Sequence, residues 1–281
     1  MEAAIQELKP RALSLEFTGT TAAQVNAVRR TLLTDVPKLA IEDVEFHLGP
    51  IRDEGSGKDY DSSTSMFDEA VALRLGLLPV PMDLGQFRRK SECTCNGEGC
   101  VHCQAMYSID KKGPCTVYAR DLVPLGDPGL AILAPEVPIV RLGARQALLA
   151  YATAVVGTAR EHSKWQVAHA VGVYPHPHIK TSKKSNCSDA CLKRAAQSCP
   201  VNILDYANGK MTVTDETKCI LCGACEKACE HGSVSVEPDE DRYFLKFETD
   251  GSLTTREALR YALKDLKRRF EELREAIQSI P

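Results

Sequence analysis

Residues 218–230 read KCILCGACEKACE, and no other stretch of the 281-residue chain narrows its possible folds as much. Cys219, Cys222 and Cys225 recur with two residues between them, and Cys229 follows after three more. A thiol repeating at that interval wraps the backbone around a compact object. Three irons of a cubane cluster are taken this way by one loop, and the fourth thiolate comes from elsewhere, often from a Cys-Pro pair. Cys199 precedes Pro200, so the spacing assigns Cys199, Cys219, Cys222 and Cys225 to one 4Fe-4S cluster. A zinc site is the weaker reading, because structural zinc usually joins two separated Cys-x2-Cys pairs. Segment 170–240 is then held by ligation, since so small a piece has little core of its own.

The remaining thiols extend the pattern. Cys229 belongs to a possible second cluster with Cys187 and Cys191 upstream, in CSDACLKRAAQSCP. The usual spacing before Cys-Pro would put cysteines where Asp189, Leu192 and Ala195 stand. A 3Fe-4S cluster, a second 4Fe-4S cluster with a non-cysteine ligand such as Asp189, and no cluster are the three alternatives. Nearer the N-terminus, CTCNGEGCVHC places Cys93, Cys95, Cys100 and Cys103 on either side of a glycine-containing turn. Four thiolates so arranged can close a tetrahedral Zn2+ site, with His102 pointing away. Cys115 reads as an inert buried thiol at the start of a strand. The chain has 12 cysteines, no secretory signal pattern and no apolar run of membrane-spanning length. Together these point to a reducing, cytoplasmic setting and to metal ligation rather than disulfides.

Two classes of function find no support. The formal charge is −3, which supplies no field to attract nucleic acid, and no basic recognition helix accompanies residues 93–103. A phosphate-binding loop, a dinucleotide fingerprint and a nucleophile elbow are all missing, so no catalytic residue is assigned. HPH at 176–178 reads as a solvated loop and REHSKW at 160–165 as a packing corner around the single tryptophan.

Periodicity supplies the coarse elements. Residues 11–19, 38–48, 115–125, 233–238 and 242–251 read as strands, and 128–142 as strands broken by proline. Asn208-Gly209 between two β-like runs is a hairpin signal. Residues 21–37 read as a helix capped by Thr20 or Thr21, 66–80 as a helix broken at Gly76 and Pro79, and 144–157 as helix-prone. Residues 53–65 are a polar loop. The closing segment carries Leu259, Leu263, Leu266, Phe270, Leu273 and Ile277 at three- and four-residue intervals among dense charge. It is an amphipathic helix longer than a small domain needs for its own core.

Several of these stretches resemble the D-type subunit of archaeal RNA polymerase, a family related to the N-terminal domain of the bacterial polymerase α subunit and to the third-largest subunit of eukaryotic RNA polymerase II. VNAVRRTLLTDVP (25–37), IEDVEFHLGP (41–50), DEAVALRLGLLPV (68–80), GTAREHSKWQVAHA (157–170) and the strand–helix ending from 242 carry the likeness, in order along nearly the whole chain. The resemblance implies an α+β protein with a split dimerisation domain at 1–45 and 242–281. It also implies a mostly-β insert domain with the zinc site at 46–168 and a ferredoxin-like iron–sulfur domain at 169–241. It implies a non-catalytic subunit of DNA-directed RNA polymerase, a nucleotidyltransferase. By the same resemblance the protein is expected to pair with a small subunit L and, with subunits N and P, to form the platform for the large catalytic subunits, reaching DNA only through the complex. Val25, Val28, Leu32 and Leu33, with Leu259, Leu263, Leu266, Phe270 and Leu273, are the expected dimer interface. The competing reading is a ferredoxin-type electron-transfer subunit, which would leave the flanking strand–helix segments without a use.

Overall fold

The computed structural model describes every residue except Glu54, Ser56, Lys183, Glu230 and Pro281. The fold is α+β with mixed sheets and few helices. In chain order the strands are β1 (Glu2–Leu8), β2 (Ala12–Thr18), β3 (Lys38–Phe46), β4 (Pro50–Arg52), β5 (Asp59–Asp61), β6 (Gln104–Lys112), β7 (Cys115–Tyr118), β8 (Val123–Pro124), β9 (Pro138–Leu142), β10 (Ala147–Gly157), β11 (Ala168–Thr181), β12 (Leu204–Ala207), β13 (Lys210–Val213) and β14 (Val234–Thr249). The helices are α1 (Ala22–Thr34), α2 (Asp68–Gly76), α3 (Asp189–Gln197), α4 (Ala224–Ala228) and α5 (Thr255–Gln278). No helix among the described residues is long and apolar enough to cross a membrane.

The chain divides into two compact units, one of Met1–Gln6, Ser14–Asn26 and Gly172–Lys246, the other of Glu7–Leu13, Ala27–Val171 and Phe247–Pro281. One four-stranded sheet has the order β1-β2-β14-β11.

The larger unit is built on a second sheet, of order β3-β10-β6-β8. Its centre is β10, antiparallel to β3 and β6, so that Ala150 faces Phe46 on one side and Ile109 on the other. Here the helix expected over 144–157 is overturned. Its alanines favour helix in isolation, but as a central strand the segment places Ala147, Ala150, Ala152 and Ala154 in the interior, each nearly inaccessible. Tertiary pairing on both edges overrides local preference. The strand ends at Gly157, where a Cβ would lie 2.5 Å from the Trp165 ring. The indole packs onto that backbone and donates from Nε1 to the Val155 carbonyl at 3.1 Å. REHSKW is thus the packing corner expected of it.

The strand expected over 115–125 is interrupted. The Asp121 carboxylate accepts from the Tyr118 N–H at 2.9 Å and turns the chain between β7 and β8. Of 128–142, only β9 is extended. Within the segment expected as a polar loop, β5 forms and pairs β4. HPH, expected in a loop, lies on β11. That strand is the edge of its sheet, and Pro175 and Pro177, two apart, present their missing donors on one side of the strand. His176 is buried and stacks on Phe244 at 5.2 Å. The two strands expected over 233–251 are one continuous β14, and β1 lies where no strand was expected.

The helix ends follow their capping residues. Thr21 accepts from the Gln24 N–H at 3.4 Å, and the Gln24 side chain takes the Thr21 N–H in return. Thr254 and Glu257 close the same reciprocal box on α5, and each such box satisfies two otherwise orphaned donors. The first half of α5 is interior along Ala258, Ala262 and Asp265. It is fastened through Arg269, whose guanidinium lies between Asp265 and Asp35, the residue that follows α1. Arg160 reaches the same Asp35 carboxylate.

Candidate metal centres

Two sets of thiols converge among the described residues: Cys93, Cys95, Cys100 and Cys103, and Cys187, Cys191 and Cys229. In each set all Sγ atoms lie within 4.8 Å of one another.

The first set is assembled by a chain reversal that needs left-handed backbone. Asn96, Gly97 and Gly99 have φ of 54°, 87° and 100°, values cheap only for glycine and tolerated by asparagine. They fold the Cys93-x-Cys95 arm back onto Cys100-x2-Cys103, at the foot of β6. The Sγ separations are 3.5 Å for Cys93 to Cys100, 3.6 Å for Cys95 to Cys103 and 3.9 Å for Cys100 to Cys103. Four sulfurs at the Zn–S bond length around a tetrahedral ion stand roughly 3.8 Å apart, so donor set and spacing fit one tetrahedral ion. The Cys100 N–H donates to Cys103 Sγ at 3.2 Å, a backbone contact of the kind that orients ligands. His102 is exposed, as expected.

The thiols share charge unequally. The Gly99 N–H, against the opposing effect of burial, brings Cys95 down to about 6. Burial pushes Cys103 up to about 12, with the neighbouring thiols adding to it. Four thiolates this close cannot all ionise without a cation to offset their repulsion.

The second set sits in the smaller unit, where Cys187, Cys191, Cys199, Cys225 and Cys229 share the interior with Leu192, Ile203, Leu204, Met211 and Val234. Ser188 caps α3 by accepting from the Cys191 N–H at 3.2 Å. Cys187 and Cys229 stand 4.0 Å apart, and the Ser233 N–H donates to Cys229 Sγ at 3.2 Å. Burial would raise the Cys229 thiol, but the N–H groups of Ser233 and His231 and the adjacent thiols bring it to about 7. Ser233 carried no signal in the sequence, because its contribution is a main-chain donor. Asp189 is exposed in the first turn of α3, which leaves three buried thiols.

Cys199, Cys219, Cys222 and Cys225 are not one of the sets within 4.8 Å. Burial, with charge on Cys222 and Cys199, pushes the Cys219 thiol up; burial, with Cys219, does so for Cys225. Charge on Cys222 and Cys199 thus reaches Cys219, and charge on Cys219 reaches Cys225, while the four do not converge as closely as the other two sets. Around a cluster each thiolate takes its own iron, so the donors stand wider than around one ion. Cys199 and Cys225 are buried, Cys219 half-buried and Cys222 exposed. Cys115, expected to be buried, is half-buried and belongs to neither convergent set.

The expected interface residues fall into two groups. Val25, Val28 and Leu32 have their side chains in the chain's own interior, at 2%, 6% and 1% exposure. Leu33, Leu259 and Leu266 are half-buried. Leu263, Phe270 and Leu273 are exposed at 45%, 64% and 53%, and Ile277 at 57%.

Comparison with known proteins places these features in context. The family model of the RNA polymerase Rpb3/Rpb11 dimerisation domain matches residues 14–270. A protein of Thermoplasma volcanium named DNA-directed RNA polymerase subunit Rpo3 is 42% identical over 277 residues, 99% of each chain. Its counterpart in Picrophilus torridus is 41% identical over 273 residues, 97% of this chain and 98% of the relative. One in Methanosarcina acetivorans is 35% identical over 276 residues, 97% of each.

Proposed function

Because the chain belongs to the RNA polymerase Rpb3/Rpb11 dimerisation family, we propose that it is a cytoplasmic, non-catalytic assembly subunit of DNA-directed RNA polymerase. It pairs with a small subunit L and, with subunits N and P, forms the platform on which the large catalytic subunits assemble. The observation that carries this reading is α5. Its first half is locked into the chain, while Leu263, Phe270, Leu273 and Ile277 form an apolar stripe in solvent. Burying Phe270, Leu273 and Ile277 against a partner contributes about 5–9 kcal/mol gross, the kind of apolar face an obligate interface covers. Leu33, Leu259 and Leu266 form its margin. The dimerisation domain is 1–45 with 242–281, the insert domain 46–168 and the ferredoxin-like domain 169–241.

Zn2+ at Cys93, Cys95, Cys100 and Cys103 closes the insert domain's loop. An iron–sulfur cluster on Cys199, Cys219, Cys222 and Cys225 staples the ferredoxin-like domain, and Cys187, Cys191 and Cys229 hold a second centre. Co-expression with the small partner tests the interface. Phe270→Glu with Leu273→Glu abolishes the 1:1 complex and leaves the melting temperature of the isolated chain unchanged; a complex that survives both substitutions refutes the assignment. Cys219→Ser with Cys222→Ser leaves pairing with L intact and lowers recovery of complete polymerase. Undiminished recovery removes the cluster from assembly.

A further inference from the structure

The smaller unit carries a groove of about 710 Å³ lined in part by Thr217 to Leu221, at the start of the thiol loop, within the size range of ligand sites. Tyr174, Val201, Ile220 and Leu221 form its apolar walls, and Lys218 and Lys246 bring two ammonium groups to it. Of the four thiols assigned to the cluster, Cys219 alone lines it, so it is not the cluster's own cavity.

Two features mark it as built rather than incidental. Leu221 has φ of 54°, a backbone conformation that glycine adopts freely and a branched side chain resists. Glycine would serve the thiol loop better, yet a leucine occupies the position and its side chain lines the groove. Ile220 is also 60% exposed, so two consecutive large apolar side chains stand on the groove side of a loop whose thiols do not need them. The charge is equally particular. Lys246 lies over the Tyr174 ring at 5.3 Å and has no carboxylate partner among the described residues. Among the described residues Lys218 is paired only with the half-buried Asp215.

From this we infer that the groove is a docking site for a protein segment of another chain, one bearing a bulky apolar side chain flanked by carboxylates. The apolar walls take the side chain and the two ammonium groups take the acids. A phosphodiester backbone would satisfy the lysines but leave Val201, Ile220 and Leu221 in water, and the chain's net charge of −3 disfavours a polyanion. The inference stands apart from the dimer interface, because none of the lining residues is among the residues assigned to that interface.

Fluorescence polarisation of a dye-labelled hexapeptide, Asp-Glu-Leu-Phe-Glu-Asp, on the full-length chain purified anaerobically tests it. Saturable binding is expected that weakens about tenfold or more with Lys246→Glu, close to 1.4 kcal/mol. Leu221→Gly weakens it similarly while iron content and melting temperature are retained or improved, because the backbone is relaxed and only the wall is lost. Four results overturn the proposal: no saturable binding; equal binding of the charge-reversed peptide Lys-Arg-Leu-Phe-Arg-Lys; equal binding after both apolar residues of the probe are replaced by serine; or displacement of the peptide by tighter binding of a single-stranded oligothymidine. A fifth result, retained affinity in Leu221→Gly, refutes it too, whatever becomes of pairing with L.

Discussion

Replacing Asp35 by asparagine tests the fastening of α5 most directly. The carboxylate is buried, at 6% exposure, and accepts from Arg160 and, at 2.7 Å, from Arg269. Asparagine keeps the shape and removes the charge. Hydrogen bonds to a charged group contribute about 1.5–3 kcal/mol each. The two guanidinium groups remain in partial contact with water, with side chains 61% and 37% exposed, so they regain solvation when the anion goes. The net loss is then about 2–3 kcal/mol, or about 4–10 °C in melting temperature for a chain of this size. pH supplies an independent signature. Burial works to raise the Asp35 carboxyl, but the bonds from Arg160 and Arg269 outweigh it and hold it below the ordinary range. A depressed carboxylate contributes stability that is fully present above its unfolded value, about 3.9, and is lost as pH falls through the lower folded value. Thermal melts of wild type and Asp35→Asn followed by circular dichroism should differ by the full amount at pH 7 and converge as pH drops below 4. Equal melting temperatures at pH 7, or a gap undiminished at pH 3, would refute the reasoning.

The other predictions are briefer. Gly157→Ala drives a methyl to 2.5 Å from the Trp165 ring and should cost about 1–3 kcal/mol in a thermal melt. Gly172→Ala, with nothing within 4 Å of the added carbon, should lie within about 0.5 kcal/mol of wild type; equal effects at the two sites would show that the tryptophan contact is not what requires glycine. Cys100→Ser should lower bound zinc by one equivalent per chain, measured by elemental analysis, and leave iron unchanged. Arg269→Ala should uncouple Asp35 from Asp265 and lose about as much stability as Asp35→Asn, and the double variant should be non-additive; additive losses would mean the pair does not act together.

The sequence by itself marked the thiol-rich runs and the chain's local punctuation. Thiol spacing within each run, Asn208-Gly209 with φ of 53° and 76° and the period of α5 are relations between residues a few positions apart, so a linear reading reaches them. Only the tertiary structure decided that the alanine-rich 144–157 becomes a central strand, that HPH lies on a sheet edge, and that Val25, Val28 and Leu32 turn inward while Leu263, Phe270 and Leu273 remain in water. Those outcomes depend on which segments pair over long sequence separations. An apolar stripe on a helix states that it must be covered; whether its own chain covers it or leaves it to another depends on where the rest of the fold ends.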